Sequence, residues 1–150
     1  MGECPLPGDC RTKNVVYEAN VTSEGRRMVY FGQTEREFIV RYKEHEEAIR
    51  IETSSHATAL SRHIWDLKKN GEEFTIKWKI KSRATTFKAG SKRCMLCLRE
   101  KVAIATQRPS TLINYRSELL TKCMHEADFE LQYYTPQYKI RKKRSRGGGR

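Results

Sequence analysis

Several side chains in this 150-residue chain are spaced for chemistry. Arg41 and His45 stand four residues apart, which on a helix puts them on one face a turn from each other. An arginine fork there matches phosphate oxygens. Glu100 falls among Leu96, Leu98, Val102, Ile104 and Ala105. A carboxylate on so apolar a helix is costly to bury without a partner; a divalent cation is one such partner, and an exposed pairing with Arg99 or Lys101 is the other reading. Tyr17 ends one apolar run and Tyr30 opens the next. An aromatic ending a strand is usually core, and a phenol with its usual pKa near ~10 acts as a base only beside a cation or metal. Five cysteines are an odd number, and Cys94 and Cys97 form a C-x-x-C, which in a reducing compartment points to metal or thiols before disulfides. Cys4 and Cys10 close a turn-rich loop with little apolar content to fix it. A zinc ion would fix it, with Cys94 and Cys97 as the other ligands, or one of these with Cys123 and His125. Reduced thiols packed as small hydrophobes are the alternative.

The elements that must position these groups follow from the pattern. Val15–Val21 and Met28–Gly32 flank a polar, glycine-containing stretch, which predicts a β-hairpin with strands over 14–22 and 27–32. Thr34 can cap a helix over 35–50, on which Phe38, Arg41, Tyr42 and His45 recur at steps of three and four. A second helix is expected over 58–69, stopping at Asn70-Gly71. Phe74 to Lys81 alternates with period two and predicts a third strand, 74–82, with Lys77, Lys79 and Lys81 on one wet face. A third helix is expected over 94–106. Gln107-Arg108-Pro109-Ser110 breaks the chain before a fourth over 110–123, with Asn114 in its first turns and a surface pair between Arg116 and Glu118. The fold class expected is α/β (α+β): a small three-stranded antiparallel sheet covered by helices. Residues 1–13 form a cysteine-containing loop, 14–130 the domain and 131–150 a basic tail.

The tyrosines of Val15-Val16-Tyr17 and Tyr30-Phe31-Gly32, with the Arg41/His45 pair behind them, resemble the GIY-YIG nuclease domain. Ser61–Lys68, Ile76–Ile80, Cys94–Lys101 and Leu112–Leu119 are similar to the endonuclease domain of Penelope-like retroelements, and the resemblance covers roughly residues 4 to 130. It implies a metal-dependent DNA endonuclease. Tyr17 would serve as general base or water-orienting group, Tyr30 as a supporting phenol, Arg41 as phosphate clamp and His45 as a second polar contact. Glu100 would hold one Mg²⁺ or Mn²⁺ that stabilises the leaving 3′ oxygen, and Asn114 would order the site around the phosphate. The nick would prime reverse transcription if the chain is part of a larger retroelement polypeptide. In such relatives an acidic residue often precedes the leucine of the second helix, where this chain has Ala59, and a cysteine pair often lies between the tyrosine motifs, where it has none.

Charge agrees with a polyanion partner, DNA or RNA. Thirty Lys and Arg against eighteen Asp and Glu give a formal +12, and neutralising phosphates releases counterions. Seven of these positives, Lys139, Arg141, Lys142, Lys143, Arg144, Arg146 and Arg150, fall in a terminal run without an acid, so the body is only mildly basic. That run reads as a disordered nuclear localisation signal or nucleic-acid arm. Lys77 and Lys79, then Lys88, Lys92 and Arg93 in the following loop, are candidate phosphate contacts. No run suits a membrane span, so a soluble, intracellular protein is expected, and the basic run makes the expected location nuclear. A different class of function, a zinc-stabilised nucleic-acid-binding module derived from a nuclease and unable to cut, fits the same basic surfaces.

Overall fold

The computed structural model describes residues 3–88, 94–123 and 125. Three strands, β1 (Val15–Ser23), β2 (Arg26–Thr34) and β3 (Phe74–Arg83), form one antiparallel sheet in the order β2-β1-β3. Three α-helices accompany them among the described residues: α1 (Phe38–Arg50), α2 (Ala59–Lys69) and α3 (Met95–Thr106). The hairpin turns on Glu24 and Gly25, both at positive φ (48° and 75°), the combination that lets a two-residue loop follow the strand twist.

Helices cover both faces, and the central strand shows it: seven of the nine residues of β1 are buried. One face packs Val15, Tyr17, Ala19, Val21 and Tyr30 against Phe38, Leu60 and Ile64 of α1 and α2. The other packs Val16, Val29 and Phe31 against Leu96, Cys97 and Ile104 of α3. At roughly 1.5–3 kcal/mol for each large apolar side chain fully buried, these two layers supply most of the driving force. The edge strand β3 is half-covered. Phe74, Ile76, Trp78 and Ile80 are partly buried, and Lys77, Lys79 and Lys81 share the exposed face as their period predicts.

Three sequence expectations change. Thr34 is the last residue of β2 and accepts from the Arg36 backbone N–H (3.1 Å) instead of capping α1. The α1 N-terminus has no side-chain cap; the carbonyls of Thr12 and Cys10 accept from Phe38 N and Ile39 N at 3.0 and 2.8 Å. The N-terminal loop thus satisfies the helix's orphan donors. That loop is fixed by Leu6 in the core and by Cys4 and Cys10, which face each other and are not brought to the cluster of Cys94 and Cys97.

The fourth helix does not form. Residues Pro109–Thr111 and Arg116–Leu120 make single 3₁₀ turns, and Leu112 to Asn114 run extended beside the outer edge of β2. Ile113 N donates to the Val29 carbonyl (2.8 Å), while the Asn114 side chain accepts from Phe31 N (2.7 Å) and donates to Phe31 O (2.8 Å). An edge strand carries a row of unpaired backbone groups, and serving them outweighs local helix preference. The basic tail and the boundary expected at residue 130 lie outside the described residues.

Candidate functional site

β2 carries Tyr30, Gly32 and Gln33 into a cleft of about 490 Å³ that α1 borders with Arg41, α2 with Ala59 and α3 with Glu100. The remaining wall is the turn after Asn114, which brings Glu118. Five segments of the chain therefore meet around one opening.

Beneath it, Tyr17 is wholly buried and links two polar groups. Arg41 Nε donates to its hydroxyl at 3.2 Å, and the hydroxyl lies 2.7 Å from His45 Nε2. With Tyr17 wholly buried, its O–H is paired only if it donates to His45 Nε2, an assignment that puts the imidazole proton on Nδ1. Burial holds the phenol and the imidazole neutral. It pushes the Tyr17 phenol up to about 12 despite Arg41 and, with the Arg41 charge, pulls His45 down to about 3. Tyr30, 5% exposed, meets the His45 ring edge-on at 5.8 Å, and burial raises its phenol well above the usual range. The far side of Arg41 is fixed by Glu44 at 2.8 Å, which Arg36 also holds at 2.6 Å.

Gly32 sits opposite Tyr17 in the β1–β2 register because the ring crosses it. A Cβ there would lie 2.8 Å from Tyr17 Cε2 and nearer still to its Cζ and hydroxyl. The glycine is required by close approach, not by its backbone angles. Gly32→Ala is expected to destabilise the chain by about 1–3 kcal/mol in urea unfolding, since neither a strand backbone nor a buried ring yields freely. A change below about 0.5 kcal/mol would show that Tyr17 packs elsewhere.

Glu100 is pushed up to about 7, chiefly by burial and further by Glu118, against the lowering effect of the Gln33 N–H donated at 3.1 Å. Glu118, raised by burial as well, accepts from Tyr115 N (2.6 Å) and from Asn114 Nδ2 (3.4 Å). It pairs with these groups rather than with Arg116. Lys101, 9% exposed, turns away from Glu100 and donates to the carbonyls of Glu118, Leu119 and Thr121 at 3.0, 3.1 and 2.7 Å.

That clamp leads the chain to a second cluster. Cys94 at the start of α3, Cys97 one turn on, Cys123 and His125 bring their ligand atoms within 4.8 Å of one another, and the group could hold a metal ion. His125 Nδ1 lies 3.4 Å from Cys94 Sγ and Cys97 Sγ and 3.9 Å from Cys123 Sγ, and Cys123 Sγ lies 3.5 Å from Cys97 Sγ. On the opposite side of the ring, His125 Nε2 is 3.3 Å from Glu35. Of the ligand sets open from sequence, the one using Cys123 and His125 is assembled, and with both cysteines of the C-x-x-C.

The candidate residues therefore divide. Tyr30, Arg41 and Glu100 line the cleft, while Tyr17 and His45 lie beneath it. Asn114 holds β2 by its backbone and steadies Glu118. Lys77, Lys79 and Lys88 are exposed but do not line the cleft, and Lys79 approaches Glu18 at 3.9 Å. Lys92 and Arg93 lie outside the described residues. Sequence reasoning missed Gln33, Glu44, Lys101 and Glu118 as site residues; only Glu44, three residues after Arg41, carried a local spacing signal. No helix among the described residues is long and apolar enough to cross a membrane. No family model matches this chain, and neither a curated protein nor a solved structure matches it.

Proposed function

We propose that the chain is a divalent-metal-dependent DNA endonuclease of the GIY-YIG type, similar to those of Penelope-like retroelements, acting on a nuclear target and nicking DNA to give a primer for reverse transcription. The observation that carries this reading is the meeting of Tyr30, Arg41 and Glu100 around one cleft, with Arg41 hydrogen-bonded down to the buried Tyr17 and, through it, His45.

The donor set suits a hard cation. Two carboxylates, Glu100 and Glu118, border the same cleft, and burial disfavours the charge on each. Oxygen ligands of this kind with room for water are what Mg²⁺ or Mn²⁺ takes. Glu100 would hold it with help from Glu118, and when bound the ion would supply charge neutralisation at the phosphate and a more acidic water. Arg41 binds a non-bridging phosphate oxygen with the guanidinium edge that faces the cleft. Its tilt is set by the Tyr17 hydroxyl and Glu44. Because Tyr17 is covered and Tyr30 borders the cleft, we assign the water-orienting role expected of Tyr17 to the Tyr30 phenol, and to Tyr17 and His45 the positioning of Arg41.

The second cluster fits zinc. A tetrahedral zinc with Zn–S of about 2.3 Å and Zn–N of about 2.05 Å sets its ligand atoms about 3.8 Å (S to S) and about 3.6 Å (S to N) apart. Four of the six separations, 3.4–3.9 Å, are of that size, and the others lie within 4.8 Å. Glu35 behind His125 is the usual carboxylate support for a ligating imidazole. Zinc here would tie the chain after the 3₁₀ turns to α3.

The test is nicking of supercoiled plasmid in Mg²⁺ or Mn²⁺, with plasmid binding measured alongside. Arg41→Ala is expected to cut about 10²–10³-fold more slowly while still binding, the loss typical of one removed transition-state contact. Tight binding by the unaltered chain with no metal-dependent cutting on any of a range of DNA and RNA substrates would overturn the reading and leave a zinc-stabilised binding module.

A further inference from the structure

We infer that Gln33 couples the Cys/His metal centre to the Glu100 carboxylate, so that zinc loading sets how tightly the cleft holds its divalent cation; the inference rests on the endonuclease reading. The Gln33 amide nitrogen lies 3.1 Å from Cys97 Sγ and 3.1 Å from Glu100 Oε2. A side-chain amide has two N–H groups, so both are spent, one on each site. Its carbonyl oxygen is buried with no hydrogen-bond partner among the described residues. The amide is therefore oriented by its two acceptors alone.

Cys97 and Glu100 are three residues apart on α3, neighbours on one helical face, and Gln33 spans them from β2. A zinc-bound thiolate is purely an acceptor, whereas a thiol carries a proton of its own. Zinc thus favours the amide orientation that also delivers an N–H to Glu100. The same strand carries Tyr30 and Gly32, so the bridge fixes Glu100 relative to the cleft wall as well as to the helix. The tether is doubled through Lys101. Its grip on the carbonyls of Glu118, Leu119 and Thr121, with the Cys123/His125 ligands just beyond, holds the Glu118 turn at its C-terminal side. Groups behind a metal ligand typically change metal affinity by 10- to 100-fold when removed, and here one such group serves two centres.

The experiment measures zinc content by emission spectroscopy and Mn²⁺ binding by the loss of the free-ion paramagnetic signal, on the full chain purified without added metal. The unaltered chain is expected to hold one zinc and to take up one Mn²⁺. Gln33→Met, which fills the same space without donors, keeps its zinc and binds Mn²⁺ about tenfold more weakly. His125→Ala loses zinc and weakens Mn²⁺ binding to a similar extent, and His125→Cys restores both. Full-strength Mn²⁺ binding by zinc-loaded Gln33→Met would overturn the coupling while leaving the endonuclease reading in place, as would full-strength binding by zinc-free His125→Ala. A chain without zinc would overturn it too. Mn²⁺ binding indifferent to Glu100→Gln would bring down the endonuclease reading itself, and the coupling with it.

Discussion

Glu100→Gln is expected to slow metal-dependent nicking at least about 10³-fold while leaving plasmid binding and zinc content unchanged. The amide matches the carboxylate in size and can still meet Gln33, so packing on α3 is preserved. What is lost is the negative charge that makes the position a cation ligand. Glu118→Gln should cost less, about tenfold, because that side chain is already engaged by Tyr115 N and Asn114. Single-turnover cleavage rates against Mg²⁺ concentration separate the cases. Glu118→Gln should recover rate at high Mg²⁺, and Glu100→Gln should not. A Glu100→Gln protein that cuts at the unaltered rate would remove Glu100 from the reaction.

The second large effect concerns stability against pH. His45 is pulled to about 3, so below its ordinary value of 6.5 the unfolded chain takes up a proton that the folded chain refuses. Stability is then lost as pH falls from about 6.5 toward 3, by roughly 5 kcal/mol at the limit. Glu100 has the opposite sign. Pushed up to about 7 from 4.5, it binds a proton in the folded state before the unfolded one, so stability is lost as pH rises through that window. Between pH 5 and 6.5, without a divalent cation in the cleft, the two slopes of about 1.4 kcal/mol per pH unit oppose each other. Glu118, raised, leans with Glu100, and His63, lowered, leans with His45, so comparison with the unaltered chain isolates each group. In urea unfolding across that range, Glu100→Gln should show stability rising more steeply with pH than the unaltered chain, by about 2 kcal/mol overall. His45→Gln should show it falling more steeply by a similar amount. Parallel curves for all three would mean that neither group titrates as its burial requires.

The chain's local patterns carried much of this architecture. Alternation in Phe74–Arg83 places Lys77, Lys79 and Lys81 outward because a strand has period two, whatever covers its other face. Thr58 and Asn70-Gly71 bound α2 through contacts within a few residues, Thr58 with Ser61 at one end and a positive-φ Gly71 at the other. Arg41 and His45 share a side of α1 by helical spacing alone. In each case the forces are short-range, and the sequence neighbourhood contains both partners.

Elsewhere the deciding partner was distant. Leu112-Ile113-Asn114 could have made a helix, but the unpaired edge of β2, more than eighty residues away, offers backbone groups that an extended segment satisfies. Cys94 and Cys97 meet Cys123 and His125 because Lys101 draws the chain after Glu118 back over α3. Gln33 and Glu118 had no spacing to mark them; their significance arises from lining the same cleft as Glu100, half-buried. The sequence by itself determined which residues could do chemistry and which faces of strands and helices they occupy, since those follow from fixed periods of the backbone. Which of them meet, which are covered and which protonation each must adopt was decided by tertiary structure, because burial and proximity are what set the cost of a charge.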